Sequence, residues 1–87
     1  MNVNVLIVPD GLTYWAQGVE IDYGAQGESA EKAKENFTLG LAATIRQNHR
    51  LRGHADDVVV AAPAEVLDEL LTDPQLERWQ LEVSLEK

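Results

Sequence analysis

The chain has 87 residues, 45% of them hydrophobic and 25% charged, with a net charge of −8 and no cysteine. That length closes around one core, so residues 1–87 are expected to form one domain, and the composition is that of a globular chain rather than a disordered one. The acidity disfavours direct binding to nucleic-acid phosphates, and the missing thiols exclude disulfide staples and thiolate metal sites.

No apolar run approaches the ~20 residues of a membrane span, and the first residues lack the basic segment and long apolar run of a secretory leader. A cytoplasmic protein is the expectation. An acidic surface also suits a basic protein partner, because opposite charge speeds encounter.

In chain order, residues 3–8 read as a strand: Val3, Val5 and Ile7 alternate with Asn2 and Asn4 before Leu6 and Val8 make it apolar on both faces. Pro9-Asp10-Gly11 is a turn signal, with proline presetting φ and glycine allowing a positive one. Residues 13–19 form a second strand around Tyr14 and Trp15, which fall on opposite faces, so one packs under a helix and the other faces out. Residues 21–26 form a third, with Ile21, Tyr23 and Ala25 on one face. The link around Gly18 is short enough to be either a turn or a bulge in one bent ribbon.

Next comes the longest periodic stretch. Ala33, Phe37, Leu41 and Ile45 recur every four residues and predict a helix over Ala30–Arg52. Ser29 suits its N-cap, Glu28 and Glu31 complement its positive end, and Arg46, His49, Arg50 and Arg52 crowd its negative end before Gly53. Residues 54–57 read as a loop and 58–62 as a loop or short strand. Pro63 opens a second helix over Ala64–Leu71. From Trp79 onward, Leu81, Val83 and Leu85 alternate with polar residues as a last strand. The expected fold class is α+β: a three-stranded antiparallel meander, a long helix, a short second helix and a final strand.

No constellation reaches the specificity of a catalytic site. Gly24 and Gly27 before Ser29 lack the lysine of a phosphate-binding loop, and Glu28 would repel an anion. His49 and His54 miss the i, i+4 spacing that pairs two ligands on one helical face, so with Asp56 and Asp57 they make a poor metal site. Asp10, Glu20, Asp22 and Glu28 stand at turns and strand ends, where carboxylates are usually solvated. No catalytic residue, metal ligand or cofactor is expected. Asp10, Trp15, Glu20, Asp22 and Glu28 are instead the candidate partner-binding residues, an aromatic anchor among acidic groups. A small core with sheet edges to cover also predicts a homodimer or tetramer.

The phrase Tyr14-Trp15-Ala16-Gln17-Gly18, followed by Gly27-Glu28-Ser29-Ala30-Glu31-Lys32-Ala33-Lys34-Glu35-Asn36-Phe37, resembles the HicB-like antitoxin domain. That family pairs a Gly-acid-Ser/Thr cap with an alanine and an asparagine just before the next apolar position. The likeness spans residues 3–45, about half the chain. It implies a partial RNase H-like fold and a role in masking a small, basic, HicA-like ribonuclease toxin. Nothing after Pro63 is basic or long enough for the DNA-binding segment that full antitoxins carry, so operator binding is not implied. The alternatives are an orphan oligomeric interaction module or, further off, an RNase H-like metal-dependent nuclease using Asp10, Glu20, Asp22 and Asp56. A fold by itself does not bring the activity.

Overall fold

The computed structural model describes residues 1–52, 61–72 and 76–84. It is α+β, with strands β1 (Asn2–Asp10), β2 (Thr13–Gly18), β3 (Gly24–Gly27) and β4 (Glu77–Glu82) and helices α1 (Ala30–Arg52) and α2 (Ala64–Leu71). The strands form one antiparallel sheet in the order β3-β2-β1-β4. Interior β1 is the strand whose sequence is apolar on both faces.

The β1–β2 hairpin registers Asp10 with Thr13, leaving Gly11 and Leu12 as its loop. Gly11, at a φ of +63°, takes the first central position of a type II′ turn. The turn therefore starts after Asp10, and Pro9 stays inside the strand opposite Tyr14. Proline is tolerated there because the main-chain groups of odd-numbered β1 residues face β4, which begins opposite Ile7 and does not reach Pro9.

The third strand is shorter than its alternation predicts, beginning at Gly24. Residues 19–23 make a tight loop in which the Gly18 N–H donates to Tyr23 O (2.9 Å) and the Tyr23 N–H to Ile21 O (2.8 Å). Ile21 is buried from this loop, so its apolar position reflects a plug in the core and not a ladder residue. Val19 still donates to Asn4 O, while its own carbonyl accepts from Ala62 N–H at 3.0 Å. That bond ties the segment before α2 to the sheet. The loop or strand read at residues 54–62 falls mostly outside the described residues.

One face of the sheet and one stripe of α1 make the core. Val3, Val5 and Ile7 meet Ala16, Ile21, Ala33, Phe37, Leu41, Ile45 and Val83, with Tyr14, Tyr23, Trp79 and Leu81 packed around them. Phe37 is fully buried and meets the rings of Tyr23 (5.3 Å) and Trp79 (6.4 Å) edge to face. Ser29 caps α1, its Oγ accepting from the Lys32 N–H at 3.1 Å. Asn36 Nδ2 donates to Gln26 O at 2.7 Å, so a helix side chain satisfies a carbonyl of edge strand β3. Chain ends are zipped together: Val83 N–H donates to Met1 O (2.8 Å) and the Met1 amino group to Val83 O (3.0 Å). Among the described residues no helix is long and apolar enough to cross a membrane.

Candidate functional site

The sheet face turned away from α1 carries Asn2, Asn4, Leu6, Val8 and Asp10 on β1, and Thr13, Trp15 and Gln17 on β2. Gly24 and Gln26 continue it on β3, and Arg78, Gln80 and Glu82 on β4. Tyr14 packs toward the core and Trp15 faces out, 37% exposed, directly across from Val8. Gly24 lies beneath the indole, since a Cβ there would fall on the ring itself. The Trp15 Nε1–H donates to Gln17 Oε1 at 3.0 Å. Gln17, nearly buried, donates in turn to Gly18 O (3.1 Å) and, more weakly, to Asp22 Oδ1 (3.4 Å). The indole is thus fixed on both its flat face and its polar edge, and a fixed aromatic loses little entropy on meeting a partner.

The five candidate residues fall into three places. Trp15 and Asp22 are joined through Gln17. Asp10 lies at the hairpin end of β1, and Glu28 follows Gly27, the residue paired with Tyr14, so both belong to the hairpin end of the sheet. Glu20 lies at the other end and has a task within the chain. Its Oε1 accepts from the Asn4 main-chain N–H (2.6 Å) and its Oε2 from Asn4 Nδ2 (2.9 Å). There β2 has turned away from β1, and a carboxylate takes the place of the missing ladder carbonyl.

Partial burial would raise the Glu20 carboxyl, but the two Asn4 hydrogen bonds together with one from its own main chain outweigh it and hold the group below its ordinary 4.5. A depressed folded value means that ionised Glu20 contributes stability above 4.5 and loses it as pH falls through the lower folded value. Glu20→Gln is therefore expected to be less stable than the parent chain at neutral pH, with the gap closing as pH falls below 4.5 and through the lowered folded value. Urea titrations across that range check this, and a gap independent of pH would contradict it.

Among the described residues no three or more His, Asp or Glu side chains are grouped to hold a metal ion. Asp10, Glu20, Asp22 and Glu28 are accordingly not drawn into one coordination site. His54, Asp56 and Asp57 lie outside the described residues.

Sequence reasoning missed Gln17, which holds the indole, and Asn4, which holds Glu20. Their signal was present in the period-2 pattern, since Gln17 shares a face with Trp15 and Asn4 lies one ladder step beyond the last β1–β2 pair. It also missed an apolar cleft of about 280 Å³ along β4, lined by Leu41, Ala42 and Ile45 of α1 and by Leu81 and Val83. At the start of β4, Lys34 bonds Glu77 at 2.5 Å and lies 5.9 Å over the Trp79 ring. Set against known proteins, the chain matches no protein-family model, no curated protein and no solved structure.

Proposed function

We propose that this chain is a non-catalytic, HicB-like protein-binding module of partial RNase H-like architecture, which masks a small basic ribonuclease toxin of the HicA kind. The observation that carries the proposal is the outward face, where Trp15 is the one large aromatic among the described residues of a chain charged −8. An aromatic anchor held by neighbours, with carboxylates at both ends of the face, fits a basic protein surface better than it fits a phosphate backbone. The phrase resembling the family supports it too. Its serine caps α1 and its asparagine clamps β3, so both polar positions have structural work that a shared fold would require.

Co-expression with a short basic protein encoded beside it is the test. Co-purification and relief of toxicity are expected, with Trp15→Ala weakening binding by about tenfold or more while circular dichroism stays native. If the neighbour neither binds nor is neutralised, the antitoxin function is wrong and the orphan interaction module takes its place.

A further inference from the structure

Two apolar features lie open at opposite ends of the sheet. The first is Leu12 at the tip of the β1–β2 hairpin, 98% exposed, where the next most exposed large hydrophobic side chain among the described residues, Leu51, is at 69%. Its turn is stiff. Gly11 supplies the positive φ, Thr13 Oγ1 donates to Asp10 O at 2.9 Å, and Gln26 Nε2 donates to Thr13 Oγ1 at 2.9 Å, which ties the tip to β3. A leucine on such a turn is a preformed knob that loses little freedom on being buried. Beside it the Asp10 carboxylate makes no hydrogen bond or ion pair among the described residues, since the Thr13 bond goes to the main-chain oxygen.

The second is the cleft of about 280 Å³ between α1 and β4. Leu41, Ile45 and Val83 are buried in its wall, while Ala42 and Leu81 are only half-buried there. Arg46 lines it too, exposed and in no ion pair among the described residues. The one carboxylate residue in the lining, Glu82, carries its side chain on the other sheet face by register, where the Met1 amino group lies 3.6 Å away. The cleft therefore presents an apolar lining beside a cation whose charge is unmatched.

We propose that the hairpin tip of one copy seats in the α1–β4 cleft of a second copy, with Leu12 against Leu41, Ile45 and Leu81 and with Asp10 facing Arg46. In a chain charged −8, two copies repel at long range, so an unlike-charge pair at the contact decides where they touch. Within one chain the two features do not meet. Leu12 lies beyond Asp10 at the last position of β1, whereas the cleft begins at Leu81, which is paired with Val3. From Val3 to Asp10 an extended strand covers about 23 Å, at roughly 3.3 Å per residue. Knob and hole at opposite ends make the contact head-to-tail, each copy offering its tip to one neighbour and its cleft to another. A hairpin tip buries far less area than a standard interface, so the association is weak and concentration-dependent. This contact is independent of the toxin-masking function, which Trp15 carries.

Amide NMR spectra recorded against concentration test it, read alongside far-ultraviolet circular dichroism to show that each variant is folded. The parent chain is expected to shift with concentration at the tip, residues 10–13, and at the cleft, residues 41–46 and 81–83. Leu12→Ser, at a position too exposed to affect folding, should abolish the shifts at both places. Ala42→Phe, which fills the cleft, should do the same. Arg46→Glu should weaken the association by about fivefold or more, and adding Asp10→Arg to it should restore the parent value. Mixing gives the sharpest reading, because Leu12→Ser keeps its cleft and Ala42→Phe keeps its tip. Isotope-labelled Ala42→Phe should therefore shift at residues 10–13, and not at its own cleft, when unlabelled Leu12→Ser is added. Parent spectra that do not change up to about 1 mM overturn the proposal. So does a Leu12→Ser chain that associates like the parent, a charge reversal that the double variant does not rescue, or a mixture in which the labelled tip does not move.

Discussion

Phe37→Ala is expected to cost about 3–5 kcal/mol, close to unfolding a domain of this size. Phe37 has no exposed surface and stands where the α1 stripe crosses the sheet. Its ring meets Tyr23 on one side and Trp79 on the other, both edge to face. It also lies against Gly18, where an added Cβ would come within 3.3 Å of its ring. Truncation removes a large apolar surface and strips two aromatic partners of their contact. Helix and sheet backbones cannot close over the space, because each is held by its own hydrogen bonds. Phe37→Leu keeps most of the apolar volume and loses mainly the edge contacts, so about 1–2 kcal/mol is expected there. Urea denaturation at one fixed protein concentration reads both. A Phe37→Ala loss under about 2 kcal/mol would mean that the core is centred elsewhere.

Legibility in the sequence followed the length and regularity of each pattern. The stripe from Ala33 to Ile45, with Ser29 before it, places α1 at Ala30–Arg52, because a long amphipathic run has one face to bury and one way to do so. The alternation of Trp79, Leu81 and Val83 marks β4, although the strand starts two residues earlier, where the ladder to Ile7 begins. The β2–β3 link was not legible in the same way. Ile21 and Tyr23 keep a period-2 spacing in a loop, because the core needs an apolar plug from that loop as much as from a strand. Period alone cannot separate these cases; the main-chain bonds from Gly18 to Tyr23 and from Val19 to Asn4 do. At the candidate site, parity separated Tyr14 from Trp15 but left open which of them faces out; the packing of Tyr14 on the core decides it for Trp15. The internal role of Glu20 was not readable, since it depends on where β2 leaves β1.

The second large effect is expected at Gly27, on the face of β3 that touches α1. A Cβ on Gly27 would strike main-chain atoms of the first helical turns, the amide nitrogen of Ala33 and the carbonyl carbon of Lys32. Neither can swing aside, because the Ala33 N–H is already bonded to Ser29 O at 2.9 Å in the opening turn of α1. Gly27→Ala must therefore lift the whole start of the helix from β3, which also strains the Asn36 clamp on Gln26 O. Overpacking of this kind costs about 1–3 kcal/mol where side chains can yield, and a main-chain contact belongs at or above the top of that range. For a domain of this size such a loss lowers the melting temperature on the order of 10–20 °C. Ala33→Gly should not rescue it, since the contact is with main-chain atoms that glycine retains. The matched control is Gly24→Ala, where the added Cβ meets the Trp15 indole, a side chain that can turn outward. That variant should lose only a few degrees while its tryptophan emission shifts to the red. Equal melting temperatures for the two variants would show that α1 does not depend on a close approach at Gly27.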